Sequence, residues 1–336
     1  MKKIAISLFL SAVLFTSGAQ DSIPGSATIE FIGDELNGII NKNAKVEIIA
    51  GGFQFTEGPL WLDKEKLLLF SDVPANTIYK WTEAKGKEIY LKPAGYTGAQ
   101  DRGGFLGSNG LLLSNNGELL ICQHGDRRIS RMDAPIHSPK PKFIMVAGVY
   151  DGKKLNSPND LVLSASGDLY FTDPSYGFER PGDPNKEIPF QGVYRMNKAG
   201  EISLLIDSIS QPNGIGIFPD GKTLLVSDSD PGKNKWYTYE ISPNGSLTNG
   251  LLFYDAINDK GMGGCDGFKF DKAGNVFATG PGGLWIFTKS GKLIGKIKVN
   301  GAVAANCALT PDGKTIFITA SNYLLRLKIL KTHVSS

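Results

Sequence analysis

A short motif that recurs along the chain constrains the fold more than any other feature. In each copy an oxygen-bearing side chain is followed by a small or turn-forming residue and then by an apolar run. The polar residues of the five clear copies are Glu57, Asn109, Asn159, Asn213 and Asp266, and a degenerate sixth copy contains Ala305 and Asn306. Each copy continues through an apolar strand, a polar turn and a second strand, a pattern that predicts β-hairpins.

The spacing of the copies predicts a closed ring. Successive copies start 52, 50, 54, 53 and about 39 residues apart, which is the length of a four-stranded propeller blade with its loops. We therefore predict an all-β fold, a six-bladed β-propeller formed as a single domain by residues 45–330. A ring buries each blade against its neighbours and leaves few free edges.

The sixth copy has too little chain left for four strands. Residues 45–50 are therefore predicted to supply its outer strand and close the ring. Further strands are expected at 77–81, 192–196, 236–241, 284–288 and 323–329. Residues 20–44 form an N-terminal lead segment, and residues 331–336 form a C-terminal tail.

Composition excludes several function classes. The net charge is only +3, without a basic block, so the chain has no electrostatic footprint for nucleic acid. It also lacks a Gly-X-Ser-X-Gly elbow, a phosphate-binding glycine loop and a dinucleotide fingerprint. Serine nucleophile chemistry and nucleotide cofactors therefore have no support.

The N-terminus has the charged, apolar and small-residue regions of a secretory signal at residues 1–19, with cleavage predicted after Ala19. The alternative is a membrane anchor, but its apolar run, 4–15, is shorter than the roughly 20 residues that span a bilayer. We expect an exported protein, periplasmic or secreted, without a membrane span in the mature chain. The oligomeric state is not predicted.

Three cysteines, Cys122, Cys265 and Cys307, leave at least one free thiol. They are interpreted as buried small residues of strands. A bridge between Cys265 and Cys307 is left open.

The repeat brings distant polar residues together, because the first residue of each inner strand lies at one mouth of the central channel. The converging set holds two carboxylates and several amide oxygens, without His or Cys. These are the hard oxygen ligands of Ca²⁺ or Mg²⁺. The alternative is that Asn and Asp precede Gly only as turn formers.

Several motifs together resemble the gluconolactonase branch of the senescence marker protein / gluconolactonase / luciferin-regenerating enzyme family, over residues 45–330. They are Glu57-Gly58-Pro59, Asn156-Ser157-Pro158-Asn159-Asp160, residues 171–177, Pro212-Asn213-Gly214 and Cys265-Asp266-Gly267. The resemblance implies a propeller with one divalent metal, usually Ca²⁺, at the channel mouth. It places the metal ligands at Glu57, Asn159, Asn213 and Asp266, and Asn109 resembles a substrate-side residue.

Such a site suits hydrolysis of a sugar lactone. A bound cation polarises the ring carbonyl, and a carboxylate assists the attacking water. Asp266 is the candidate base, as the resemblance suggests, and Asp173 is the second candidate. The alternative role for Asp173, which precedes a proline, is to stabilise a turn.

Three further residues are substrate-binding candidates: His124, Ser157 and Tyr176. His124 follows the second strand of copy two, where it is either a substrate or proton partner or a surface residue paired with Asp126. Tyr176 lies in the long loop 174–191, which is predicted to be a binding loop or an exposed turn. We expect the substrate between this loop and the gap left by Ala305.

Two other functions remain open at this point. A phosphotriesterase-like hydrolase would use a similar oxygen-ligand site. A non-catalytic propeller would use its metal for structure and its faces for binding a protein or glycan.

Overall fold

The computed structural model describes residues 24–100, 104–179 and 182–329. The predicted signal at 1–19 and the tail at 331–336 lie outside these ranges. No helix in the described part of the chain is long and apolar enough to cross a bilayer. Before the first copy of the motif come β1 (Ala27–Phe31), a 3₁₀ helix (Asp34–Gly38) and β2 (Val46–Gly51).

Each copy of the motif lies at or just before the start of the innermost strand of an antiparallel sheet. Blades 1 and 2 consist of β3 (Thr56–Leu62), β4 (Leu67–Asp72), β5 (Thr77–Thr82), β6 (Gly86–Leu91), β7 (Ser108–Leu113), β8 (Leu119–Gln123), β9 (Arg128–Met132) and β10 (Phe143–Ala147). A hairpin, β11 (Val149–Tyr150) and β12 (Lys153–Lys154), precedes blade 3.

The later blades repeat this order. Blades 3 and 4 consist of β13 (Leu161–Leu163), β14 (Leu169–Asp173), β15 (Gly192–Met196), β16 (Ile202–Ile206), β17 (Pro212–Ile217), β18 (Thr223–Asp228), β19 (Lys235–Ile241) and β20 (Leu247–Asp255). Blades 5 and 6 contain β21 (Phe268–Phe270), β22 (Val276–Gly280), β23 (Gly283–Phe287), β24 (Leu293–Val299), β25 (Ala304–Leu309), β26 (Thr315–Ala320) and β27 (Tyr323–Lys328). The predicted strands agree with these bounds to within one residue.

The ring closes as the sequence predicts. Inner strands contact one another in the order β3, β7, β13, β17, β21 and β25, and β25 contacts β3 again. Strand β2 is the outer strand of blade 6, where it pairs antiparallel with β27, Val46 opposite Leu327 and Gly51 opposite Tyr323. The six-bladed all-β propeller is thus confirmed.

The lead segment contributes more than the sequence suggested. Strand β1 adds a fifth strand to blade 5, with Ala27 opposite Val299. The 3₁₀ helix that follows buries Leu36 completely against the same blade, and Gly295 leaves the space for it, since a Cβ there would lie 2.3 Å from the Leu36 side chain. The N-terminal residues therefore bridge blades 5 and 6.

The apolar core is divided among the interfaces between blades. Each of the six buried clusters in the described chain combines strands of two neighbouring blades. Burying each large aliphatic side chain contributes about 1.5–3 kcal/mol, so stability is spread around the ring. Cys122, Cys265 and Cys307 lie inside these clusters as free, buried thiols, and the bridge left open for Cys265 and Cys307 is not formed.

Candidate functional site

Hydroxyl side chains fix the backbone of the mouth residues. The second strand of several blades has Ser or Thr as its last residue but one, and the hydroxyl donates to the carbonyl of the mouth residue in the next blade. The bonds run from Ser71 Oγ to Asn109 O (2.8 Å), Thr172 Oγ1 to Asn213 O (2.6 Å), Ser227 Oγ to Asp266 O (2.9 Å) and Thr279 Oγ1 to Ala305 O (2.9 Å). These residues were missed from sequence, although the repeated Ser/Thr-Asp pair at 71–72, 172–173 and 227–228 is a visible signal.

The glycine after the polar residue is required by close packing. A Cβ on Gly58 would lie 1.9 Å from the carbonyl oxygen of Asn109, and one on Gly214 would lie 2.5 Å from that of Asp266. No side chain fits at such distances, so glycine allows neighbouring inner strands to approach. The motif glycines are therefore needed where neighbouring blades pack together, which the interpretation of the motif as a simple turn does not explain.

All five polar mouth residues line one cavity of about 360 Å³. Such a volume falls within the range of small-molecule sites. The remaining lining residues are Phe55, Phe105, His124, Tyr176, Gln211, Ser229, Pro231, Gly263, Gly264 and Val303. The wall is therefore apolar on one part, where Phe55 and Phe105 meet edge to face with ring centroids 5.3 Å apart, and polar on another.

The three asparagines form a chain of hydrogen bonds around the mouth. Asn109 Nδ2 donates to Asn159 Oδ1 at 2.8 Å, and Asn159 Nδ2 donates to Asn213 Oδ1 at 2.6 Å. With the amides assigned in this orientation, Asn109 Oδ1 is buried without a hydrogen-bond partner. The side-chain oxygens of Asn159 and Asn213 each keep a second lone pair for a ligand.

Two carboxylates complete the ring. Burial raises the pKa of Glu57 to about 7. The hydrogen bond from the Gly58 N–H to Glu57 Oε2 (2.9 Å) opposes this shift but does not cancel it. Burial also raises the pKa of Asp266 well above its usual range, helped by the charge of Glu57 and a hydrogen bond between the two carboxyl groups. The two acids therefore share a proton unless a cation compensates their charge.

The donor set fits a hard divalent cation. Asp266 Oδ1 is buried and unpartnered beside the amide oxygens, which is the condition of a ligand atom facing its ion. Two carboxylates and neutral amide oxygens suit Ca²⁺ or Mg²⁺. In the described chain no group of three or more His, Cys, Asp or Glu side chains forms a metal site, so the candidate site combines its two carboxylates with amide oxygens.

His124 is a buried, neutral member of the cavity wall. Its Nδ1 lies 3.2 Å from the carbonyl oxygen of Phe105, and its Nε2 is buried without a partner. Burial lowers the pKa of His124 to about 4, so Nδ1–H donates and Nε2 offers a lone pair to the cavity. Asp126 pairs instead with Arg128 at 2.8 Å, so the surface pair with His124 is not formed.

Comparison with known proteins identifies the family. Residues 55–322 match the model of the SMP-30/Gluconolactonase/LRE-like region. The chain belongs to this family. It is 36% identical to a gluconolactonase of Zymomonas mobilis over 338 residues, covering 97% of this chain and 94% of that protein.

Solved structures of the same family share the fold. A gluconolactonase from Xanthomonas campestris superposes with a TM-score of 0.79 at 26% identity, over 92% of this chain and 97% of that one. A luciferin-regenerating enzyme superposes with a TM-score of 0.69 at 17% identity, over 86% of this chain and 96% of that one, which shows a common fold.

Asp173 does not line the cavity of this family member. Its carboxylate accepts bonds from the N–H groups of Asn156 (2.7 Å) and Ser157 (2.8 Å), and burial raises its pKa to about 7. Asp72 and Asp228 accept backbone N–H bonds in the same way in blades 1 and 4. The position gives Asp173 a structural task, and its catalytic role stays a prediction.

Ser157 also lies behind the wall. Its hydroxyl donates to Pro174 O at 2.6 Å and accepts from the Gly177 N–H at 2.9 Å, so it fixes the start of the loop 174–191. That loop places Tyr176 in the wall, with its hydroxyl bonded to Ser229 Oγ and 3.3 Å from Gln211 Oε1. Tyr176 thus faces the cavity, and Ser157 supports it indirectly.

The degenerate sixth copy contributes differently from the other five. Ala305 is fully buried and is absent from the cavity wall, where Val303 and Gly263 lie instead. Asn306 points toward the channel, and its Nδ2 donates to Glu57 Oε2 at 3.3 Å. The expected gap at Ala305 is therefore closed below by Asn306.

Proposed function

We propose that this protein is a Ca²⁺-dependent hydrolase of sugar lactones. The observation that carries the proposal is the pair of carboxyl groups of Glu57, which is buried, and Asp266, whose Oδ1 is buried, at a cavity that also holds three asparagine side chains. The 36% identical gluconolactonase, aligned over nearly its full length, supports an enzyme that hydrolyses a lactone.

Glu57, Asn159, Asn213 and Asp266 are the residues proposed to hold the cation. Two carboxylates balance the charge of a divalent ion, which removes the cost of burying them together. When bound, the cation supplies a Lewis acid for the lactone carbonyl. The solved structure of a calcium-binding protein, regucalcin from Agrobacterium tumefaciens, has the same fold at 18% identity.

Asp266 is the proposed general base. Asp266 lines the cavity and its Oδ1 is buried without a hydrogen-bond partner, so it can accept the proton of a water placed there. The carboxylate must be ionised to do so, which the charge of a bound cation favours.

The cavity wall suits an amphipathic ring. His124 Nε2 is an acceptor without a partner, so a substrate hydroxyl can donate to it. Gln211, Tyr176 and Ser229 offer further polar atoms, while the Phe105 ring faces the C–H surface of a sugar. A hydroxylated lactone satisfies both parts of the wall.

The test is hydrolysis of a panel of sugar lactones, including glucono-δ-lactone, before and after chelation. We expect turnover with Ca²⁺, loss with chelator and recovery on adding Ca²⁺ back. Asp266→Asn is expected to lower kcat by about 10²-fold or more, whereas Asp271→Asn, in a turn of the same blade, is the matched control. Absence of turnover at every metal concentration, or an unchanged kcat in Asp266→Asn, would contradict the proposal.

The same assay distinguishes the role of Asp173 from that of Asp266. Asp173→Asn and its structural counterpart Asp72→Asn are both expected to lower the melting temperature while the folded fraction keeps its kcat. A selective loss of kcat in Asp173→Asn would assign it a catalytic role.

Export belongs to the proposal too, and N-terminal sequencing of the mature protein tests cleavage after Ala19.

A further inference from the structure

A second polar layer lies in the channel beneath the mouth residues. Four of the six blades place glycine at the next position, while blade 3 places Asp160 and blade 6 places Asn306 there. The Asp160 side chain is only 6% exposed. Its Oδ1 accepts from the Leu161 N–H at 2.9 Å, and its Oδ2 is buried without a hydrogen-bond partner. Asp160 is thus a third carboxylate below Glu57 and Asp266.

Lys269 reaches this layer from blade 5. Its Nζ lies 3.8 Å from Asp160 Oδ2 and 3.5 Å from Asn306 Oδ1, and it also donates to the carbonyl oxygen of Phe268 at 3.0 Å. Blades 3 and 5 are separated by blade 4 in the ring, so the contact with Asp160 spans the channel. Lys269 is therefore held by partners on three different blades.

The charges of the channel cluster balance in a simple way. Glu57, Asp160 and Asp266 carry three negative charges when ionised, and Lys269 carries one positive charge. The remaining two negative charges are balanced by one divalent cation. Buried charge is costly unless it is compensated, so Lys269 and a single cation together satisfy the cluster.

We propose that Lys269 is a positioning residue that sets the affinity of the mouth for its divalent cation by neutralising Asp160. This inference rests on the proposed function, which places the cation at Glu57 and Asp266. The ammonium group cancels the field of Asp160 at the mouth, so the cation experiences two carboxylates instead of three. Without Lys269, the cation binds more tightly and its release is slower.

The experiment is calorimetric titration of metal-free protein with CaCl₂ at pH 8. Lys269→Met is expected to bind Ca²⁺ about tenfold more tightly than wild type, as one uncompensated charge within the channel allows. Asp160→Asn is expected to bind more weakly by a similar factor, and Asp160→Asn/Lys269→Met to return close to the wild-type constant. This double-mutant cycle isolates the pair from general effects on the fold.

Matched controls keep the outcome clear. Lys289→Met removes an exposed lysine paired with Asp220 at 3.0 Å and is expected to bind Ca²⁺ as wild type does. Lys269→Gln retains a polar group for Asn306 and serves if Lys269→Met does not fold, as checked by thermal melting. It is expected to show the same tightening.

The outcomes separate this inference from the proposed function. If wild type binds Ca²⁺ but the Lys269 variants bind with the wild-type constant, this inference is wrong and the proposed function stands. A double variant that keeps the Lys269→Met constant also overturns it, because Asp160 would then not be the charge that Lys269 neutralises. If wild type binds no Ca²⁺, the metal of the proposed function and this inference fail together.

Discussion

The replacement Glu57→Gln is expected to stabilise the metal-free protein while removing one negative charge from the proposed cation site. Glu57 is buried beside Asp266, and burial raises its pKa from 4.5 to about 7. The folded state therefore holds a proton that the unfolded state releases between these two values. By linkage, the free energy of unfolding falls as pH rises through this interval, and stability is greatest below pH 4.5 with respect to this group.

The magnitude follows from the shift. A difference of one pKa unit corresponds to about 1.4 kcal/mol, so ionised Glu57 costs metal-free wild type about 3 kcal/mol above pH 7. Glutamine keeps the oxygen that accepts from Gly58 and adds a donor toward Asp266. We expect Glu57→Gln to unfold with less pH dependence between pH 5 and 8, and to be the more stable protein at pH 8.

The assay is urea unfolding in the presence of chelator at half-unit steps from pH 4.5 to 8. Glu201→Gln, which removes an exposed acid on a turn of blade 3, is the control and should follow the wild-type profile. In a parallel series without chelator, saturating Ca²⁺ should stabilise wild type more than Glu57→Gln, whose site carries one negative charge fewer. The reasoning fails if Glu57→Gln and wild type show the same pH dependence in chelator.

Three further expectations follow from the buried groups. Because the pKa values of Glu57 and Asp266 are raised, Ca²⁺ binding at pH 6 should release protons, and calorimetry in two buffers of different ionisation enthalpy checks this; equal heats would contradict it. His124, with a pKa of about 4, should not titrate in the rate profile from pH 5 to 8, so His124→Gln should raise KM without changing the shape of that profile. Burial raises the pKa of all three cysteine thiols, so Ellman's reagent should label them only after unfolding; rapid labelling of native protein would refute their burial.

The architecture could be predicted because its information is periodic. The repeated order of polar residue, apolar strand, polar turn and second strand predicts the hairpins, and the short sixth copy requires a strand from elsewhere, which β2 supplies. Strand β1 could not be predicted in the same way, since it lies outside the repeat and adds to an already complete blade. The position of β1 against blade 5 accompanies the burial of Leu36 in the 3₁₀ helix that follows. A strand of only five residues has no sequence pattern that indicates this packing.

The sequence predicts the site residues that occupy equivalent positions of the repeat. It does not predict contacts between side chains of blades that are not neighbours. Glu57 and Asp266 follow from their equivalent positions, whereas the contact of Lys269 with Asp160 joins two blades that are not neighbours. The direction of a carboxylate is also absent from the pattern. Asp173 ends a strand near the mouth, yet its oxygens turn toward the backbone of Asn156.

The closure of blade 6 by β2 has a consequence for biosynthesis. Strand β2 leaves the ribosome long before its partner β27, because Val46 and Leu327, which lie opposite each other, are far apart in the chain. Until β27 is made, β2 is an unpaired edge, and until β25 is made, Glu57 of blade 1 lacks its bond from Asn306 of blade 6. Such distant pairing slows folding, so the nascent protein has a long interval in which it depends on protection from aggregation. A chain that stops before blade 6 lacks both the β2–β27 pairing and the Asn306 bond to Glu57, so the mouth is complete only after blade 6 has been synthesised.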